Sequence, residues 1–391
     1  MEYVARMAES RFRRMLRTFP AVLLYGPRQC GKSTFVRRML PGWRQVDLER
    51  PADRALLVAD LEGFFDQHGR RVVLDEAQRL PDLFPVLRYV LDREKAKGRF
   101  VLLGSAGPGL LRSASESLAG RLGLMELTPL LSSELAGRPQ ASLRWFWGGF
   151  PPVLELSGDR QRAAWMDGYV SNFLERDLPA LGLRLSPPRL RTLWTMLTHV
   201  HGRLLNVADL SRSLSVSSHT VNAHLDVLES AFMIRRLQPY HANIHKRLTK
   251  SPKLYLRDTG LLHFLAGLRG PDDLATWPLR GGSFEGMVIE ELAALATEQV
   301  VRPGLYFWRT QAGAEVDLLI QHGRSLLPIE IKLGMEVDRH AVAGLKQCMA
   351  DLGLKRGWVV CNAPRHDRMN GGIEIVPWRH IVEGQVRLPL D

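Results

Sequence analysis

Residues able to do chemistry fall into two groups at opposite ends of the chain. The first is Gly26-Pro27-Arg28-Gln29-Cys30-Gly31-Lys32-Ser33-Thr34, directly after the apolar run Ala21–Tyr25. Backbone N–H groups can converge on a phosphate only where no Cβ intrudes, which calls for glycine at 26 and 31. A helix opening at Lys32 adds partial positive charge at its N-terminus. Lys32 is long enough to reach β- and γ-phosphates, and the Ser33 hydroxyl suits Mg²⁺. Residues 26–34 are therefore expected to hold ATP. Downstream, Val72-Val-Leu-Asp75-Glu76 is a short apolar strand ending in two carboxylates. Asp75 is expected in the water shell of Mg²⁺, and Glu76 is expected to polarise the attacking water. Ser105 ends the next apolar strand and is either a γ-phosphate sensor or an ordinary loop serine. Arg121 enters the strand from Leu122 and is either a finger for a neighbouring subunit's nucleotide or half of a structural ion pair.

The second group lies past Gly281. Asp317 sits in Glu315-Val-Asp-Leu-Leu-Ile320, and Glu330-Ile-Lys332 follows on the next apolar stretch. Residues two apart on a strand project from one face, so Glu330 and Lys332 belong together. Two carboxylates can hold Mg²⁺ while a lysine orients or deprotonates water. Glu285, on a preceding amphipathic helix (Ser283 to Thr297), is a further acidic candidate ligand. Helix, three strands, helix, strand is the core order of a restriction-endonuclease-like fold. The set resembles the E…D…E-x-K arrangement of PD-(D/E)xK nucleases, with Ala314-Glu-Val-Asp317 where that superfamily often has Pro-Asp. Both a cleaving and an inactive version of such a domain fit these residues.

Between the groups, Asn206–Leu214, a turn at Ser215–Ser218 and a second helix from His219 to Phe232 follow a helix-turn-helix pattern. Val221, Leu225 and Leu228 would face a core, leaving Ser217, Ser218, Thr220 and Asn222 near an exposed helix start. Two strands of a wing are expected at Met233–Tyr240 and Lys253–Leu256. Arg235, Arg236, Lys246, Arg247, Lys250 and Lys253 fall in this stretch, and no acid lies between Arg235 and Arg257. Such a run suits DNA phosphates; a solvated face, or a lid on the ATPase core, is the alternative.

The 391 residues suffice for several cores. A net charge of +12 favours a polyanionic partner. The three cysteines have no C-x-x-C spacing, which fits a reducing cytoplasm rather than a zinc or disulfide scaffold. Cys30 reads as a passive loop residue, with redox control as the alternative. No apolar run has the length of a bilayer span, so no membrane partner is expected.

Gly26-Pro-Arg-Gln-x-Gly-Lys-Ser, Leu74-Asp-Glu-Ala-Gln78, Gly104-Ser, Ser117-Leu-Ala-Gly-Arg, Trp147-Gly-Gly-Phe-Pro and Asn172-Phe-Leu-Glu-Arg-Asp177 resemble a bacterial and archaeal family of AAA-type ATPases. Members of that family carry a C-terminal domain of unknown function. The resemblance implies an AAA-type nucleotide-binding core and a homo-oligomer, plausibly a hexamer. The expected architecture is α/β. An AAA-type P-loop core spans 1–135, a helical lid or linker 136–200, a winged helix 201–270 and a nuclease-like domain 280–391. The expected activity is an Mg-ATP-driven action on DNA, at branches or ends. Its rivals are an ATP-switched DNA clamp with an inactive nuclease fold, and a regulatory ATPase with protein partners.

Overall fold

The computed structural model describes residues 2–105, 114, 116–182, 186–240, 251–337 and 342–390. Its first sheet is built from β1 (Ala21–Gly26), β2 (Arg44–Asp47), β3 (Val72–Asp75), β4 (Phe100–Ser105) and β5 (Leu122–Glu126). All neighbours are parallel, in the order β2-β3-β4-β1-β5. The inner strands β1, β3 and β4 are nearly continuous apolar runs because both faces are covered, whereas the edge strand β2 is largely exposed. On one face, Leu23, Leu74 and Leu102 pack with Phe64, Phe65, Leu83, Phe84 and Leu87 of flanking helices. On the other, Val22, Leu24, Val73 and Leu103 pack with Phe12, Phe35 and Val36. Because β4 separates β1 from β3, the tip of β4 lies between the glycine loop and the Asp75–Glu76 carboxylates.

Helices make up most of the described residues between Arg144 and Thr276, around a cluster containing Phe150, Tyr169, Phe173, Trp194, Leu225 and Leu262. One turn of π-helix, Phe173–Asp177, interrupts this region and lies against the glycine loop. The helices Val207–Leu214 and Ser218–Ser230 are joined by a short turn, with Ser215 in the left-handed region at φ 54°. The first is capped by Asn206 and the second by Ser217, each accepting backbone N–H bonds from the first turn.

Strands β6 (Arg203–Leu204), β7 (Ile234–Pro239) and β8 (Lys253–Leu256) flank these helices. They do not form a separate sheet. β7 pairs in parallel with β9 (Gly304–Arg309), matching Gln238 to Tyr306 and Pro239 to Phe307. The sheet continues through β10 (Glu315–His322), β11 (Ser325–Ile331), β12 (Gly357–Cys361), β13 (Asp367–Met369) and β14 (Ile373–Pro377). The result is one nine-stranded sheet, β13-β14-β12-β11-β10-β9-β7-β8-β6, crossing the expected boundary at 270–280. Helix Arg280–Gln299 covers one face through Phe284, Val288 and Leu292. Helix Ala343–Leu352 covers the other through Leu345, Cys348 and Met349.

Candidate functional site

The glycine loop joins β1 to helix Lys32–Met39. A Cβ on Gly26 would stand 2.2 Å from the Leu127 carbonyl oxygen, and Gly31 lies in the left-handed region at φ +97°. Both positions therefore require glycine, one for close approach and one for backbone angle. Arg6 braces the loop from beneath. Its guanidinium donates to the carbonyls of Cys30 at 3.2 Å and Thr128 at 2.6 Å, and pairs with Glu134 at 3.0 Å. Cys30 is buried with its Sγ 3.3 Å from the Leu127 oxygen, a packed position.

Lys32 is buried, and its ammonium donates to the loop's own Gly26 and Pro27 carbonyls at 3.1 and 2.8 Å. Ser33 Oγ donates to Asp75 Oδ2 at 2.5 Å. A hydroxyl and a carboxylate thus converge at one point. This is the pairing that Mg²⁺ takes from a protein when phosphate and water supply its other oxygens. Glu76 adopts φ 54°, which turns its carboxylate toward β4. There it accepts from Ser105 Oγ at 3.2 Å and from the Gln78 amide, which also donates to Ser105 at 3.0 Å. Strand register supplies the position, since Gly26 on β1 is matched with Ser105 on β4. Lys32, Ser33, Asp75, Glu76 and Ser105 are accordingly brought to one end of the sheet. Pro27 is buried there, whereas Gln29 and Thr34 are exposed at the loop's rim.

Arg121 lies at the other end. It enters β5 opposite Ala21, the first residue of β1, and pairs with Asp92 at 2.6 Å. Its own chain's loop is out of its reach. Arg28, by contrast, leaves the loop for the π-turn, where it stands 2.9 Å from Asp177 Oδ1. The contact is charge against charge, because its angle gives that oxygen no hydrogen bond. Burial raises the Asp177 pKa despite Arg28 and Arg176. Arg6, Gln78 and Asp177 were not among the expected site residues. Gln78 has a sequence signal, as a polar residue just past the paired carboxylates. Arg6 has none, since its partners Cys30, Thr128 and Glu134 are brought to it only by the fold.

In the C-terminal sheet, Asp317 on β10 and Glu330 on β11 are neighbours, because Leu318 is matched with Ile329. Both are buried, as is Lys253 from β8, which is only 2% exposed. The Lys253 ammonium contacts Asp317 Oδ1 at 3.1 Å, Glu285 Oε1 at 3.2 Å and Glu315. Tyr255, on the same face of β8, donates to Glu285. Asp317 Oδ2 accepts the Ile331 N–H at 3.0 Å, and Lys332 pairs with Glu330 at 2.5 Å. Burial opposes the charge on Lys253, yet Glu285 and Asp317 hold its pKa above the ordinary lysine value. Burial, then Asp317, push Glu285 up to about 7 and Glu330 up to about 8. No group of three or more acidic, histidine or cysteine side chains among the described residues is placed to hold a metal ion. Of the three residues expected to hold Mg²⁺, Glu285 and Asp317 lie against the Lys253 ammonium, while Glu330 pairs with Lys332.

Three of the residues expected to touch DNA have partners within the chain. Lys253 is interior, as just described. Arg235 is committed to Glu290, and Arg236 to Glu229 and Asp226, because the wing strands are built into the sheet rather than projecting from it. Ser217 spends its hydroxyl on the helix cap, bonding the Thr220 N–H at 3.1 Å and sharing a bond with its hydroxyl at 2.8 Å. Ser218 and Asn222 are exposed and Thr220 half-buried. Lys246, Arg247 and Lys250 lie outside the described residues.

The parallel sheet, the glycine loop and the Ser33–Asp75–Glu76–Ser105 cluster define an AAA-type P-loop ATPase. An AAA domain model matches residues 18–136. Domains of unknown function match the rest, DUF8612 over 138–272 and DUF4143 over 280–381. The chain belongs to one family with uncharacterized proteins of Mycobacterium tuberculosis and Mycobacterium bovis. Each is 41% identical over 385 residues, covering 95% of this chain and 83% of the relative. Among solved structures, the Walker-type ATPase of Pyrococcus abyssi is similar at 16% identity and a TM-score of 0.49, over 68% of this chain and 96% of that one. No helix among the described residues is long and apolar enough to cross a membrane.

Proposed function

We propose that this ATPase hydrolyses Mg-ATP at residues 26–34 with Asp75 and Glu76, and uses the cycle to act on DNA through residues 201–270 as a winged helix. The observation that supports it best is the contact of Ser105 and Gln78 with the Glu76 carboxylate, beside the Ser33–Asp75 pair. Lys32 would exchange its loop carbonyls for β- and γ-phosphate oxygens. Ser33 and Asp75 would hold Mg²⁺, whose role is to neutralise charge on the phosphates. Glu76 would orient the attacking water and accept its proton. Ser105 and Gln78 hold that carboxylate in place, so a γ-phosphate pulling on Ser105 would register at the base.

DNA contact is supported by the net charge of +12 and by the exposed Ser218 and Asn222 at the start of the second helix. The C-terminal sheet with its two covering helices supports a nuclease-like fold. No cleavage step is assigned to it, because Lys253 occupies its acidic centre; the reading is of a clamp rather than a nuclease. The proposal is tested by measuring ATP turnover alone and with duplex, forked and four-way junction DNA, together with nicking of the same substrates in Mg²⁺. Stimulated turnover with intact DNA supports it. Turnover indifferent to every DNA removes the DNA half, and Mg²⁺-dependent nicking removes the clamp.

A further inference from the structure

We infer that Lys253 is a permanent internal cation, standing in for a divalent metal among Glu285, Glu315 and Asp317, and that this ion-pair lock fastens β8 to the C-terminal sheet and its covering helix. The inference deepens the clamp reading and rests on it only for the comparison with a nuclease.

The ammonium stands among three carboxylates: it donates to Glu285 at 3.2 Å and to Asp317 at 3.1 Å, and it is ion-paired with Glu315. The side chain is 2% exposed. The Phe307 ring lies 5.8 Å from Nζ, giving a further favourable environment for a cation. Neither oxygen of Asp317 is spare, since the second accepts the Ile331 N–H at 3.0 Å. Mg²⁺ demands six oxygens at close range. It cannot enter beside an ammonium already bonded to the same carboxylates, because the two cations would repel within a buried, low-dielectric space.

Nor can Lys253 easily withdraw. It is matched with Leu237 on β7 and with Leu204 on β6, so its backbone is held on both sides. Tyr255, two residues on, reaches the same Glu285. Withdrawal of the ammonium would leave the buried Asp317 and the largely buried Glu285 without it, Glu315 keeping Arg309 as a partner, which is destabilising.

The test uses the nucleotide-free, full-length protein, so that it is independent of ATP and DNA. Wild type, Lys253→Met and the double variant Lys253→Met with Asp317→Asn are titrated with MnCl₂. Free Mn²⁺ is followed by electron paramagnetic resonance and stability by Tm. Wild type is expected to take up no Mn²⁺ in this centre and to keep its Tm. Lys253→Met is expected to lose on the order of 10 °C, and Mn²⁺, but not NaCl of equal ionic strength, is expected to restore more than half of it. The double variant is expected to be more stable than the single one, since a carboxylate left without its partner has been removed. Saturable Mn²⁺ uptake by wild type that Asp317→Asn abolishes overturns the inference. So does a Lys253→Met protein with wild-type Tm. Should Lys253→Met fail to fold, the wild-type titration and the double variant still decide.

Discussion

At the scale of single residues, the nucleotide site is a set of side chains held by one another. Glu76 is fixed by Ser105 and Gln78, and Lys32 by the carbonyls of its own loop. Glu76→Gln keeps the shape and removes the base. ATP turnover is expected to fall by at least about 100-fold with nucleotide binding retained, whereas Lys32→Ala is expected to lose binding; a fluorescent ATP analogue alongside a phosphate-release assay separates the two. Arg28 offers a subtler check. Its Asp177 partner holds it off the loop, so Asp177→Asn frees a guanidinium for phosphate. A gain in ATP affinity of about fivefold is expected, and unchanged affinity would show that Arg28 does not meet the nucleotide. Residues 26 to 34, Asp75 and Glu76 were legible in the sequence because phosphate binding needs its residues at fixed local spacing. Arg6, Asp177 and the true place of Lys253 were not, since each acts on a partner brought near only by the fold.

At the scale of elements, periodicity placed the helix over the C-terminal sheet: expected from Ser283 to Thr297, it runs from Arg280 to Gln299. What the pattern could not convey is which strands share a sheet. β7 and β8 pair antiparallel as a two-stranded wing would, and nothing local marks the extra pairing of β7 with β9. Two histidines pin the elements around this junction. His201 accepts the Leu256 N–H at Nδ1 and donates to the Gly282 carbonyl; His263 donates to the Phe146 carbonyl and accepts from Ser283. Both rings are neutral, and burial lowers their pKa values to about 3 and about 4. The unfolded chain binds those protons near pH 6.5 and the folded chain does not, so this stability is full above pH 6.5 and lost as pH falls toward 4. Each histidine is expected to cost about 2 kcal/mol by pH 5, read as a falling urea midpoint while NMR shows both rings uncharged in the folded protein.

At the scale of the molecule, one buried arginine ties the ATPase core to two downstream elements at once. Arg257 pairs with Glu126 at the end of β5, at 2.6 Å, and with Glu290 on the C-terminal helix, at 2.8 Å. Burial opposes it, but Arg235 and Arg257 together pull Glu290 down to about 2. Arg257→Met is expected to cost about 3–5 kcal/mol and to split one calorimetric unfolding transition into two, with the ATPase core melting apart from the rest. Above this hinge point, Tyr25 of β1 stacks on Phe232 at a centroid distance of 5.6 Å. Beyond Phe232 the chain enters the nine-stranded sheet without a break. Because β7 meets β9 through just two matched pairs, a displacement started under the phosphates would reach the far strands of the sheet by way of that narrow seam.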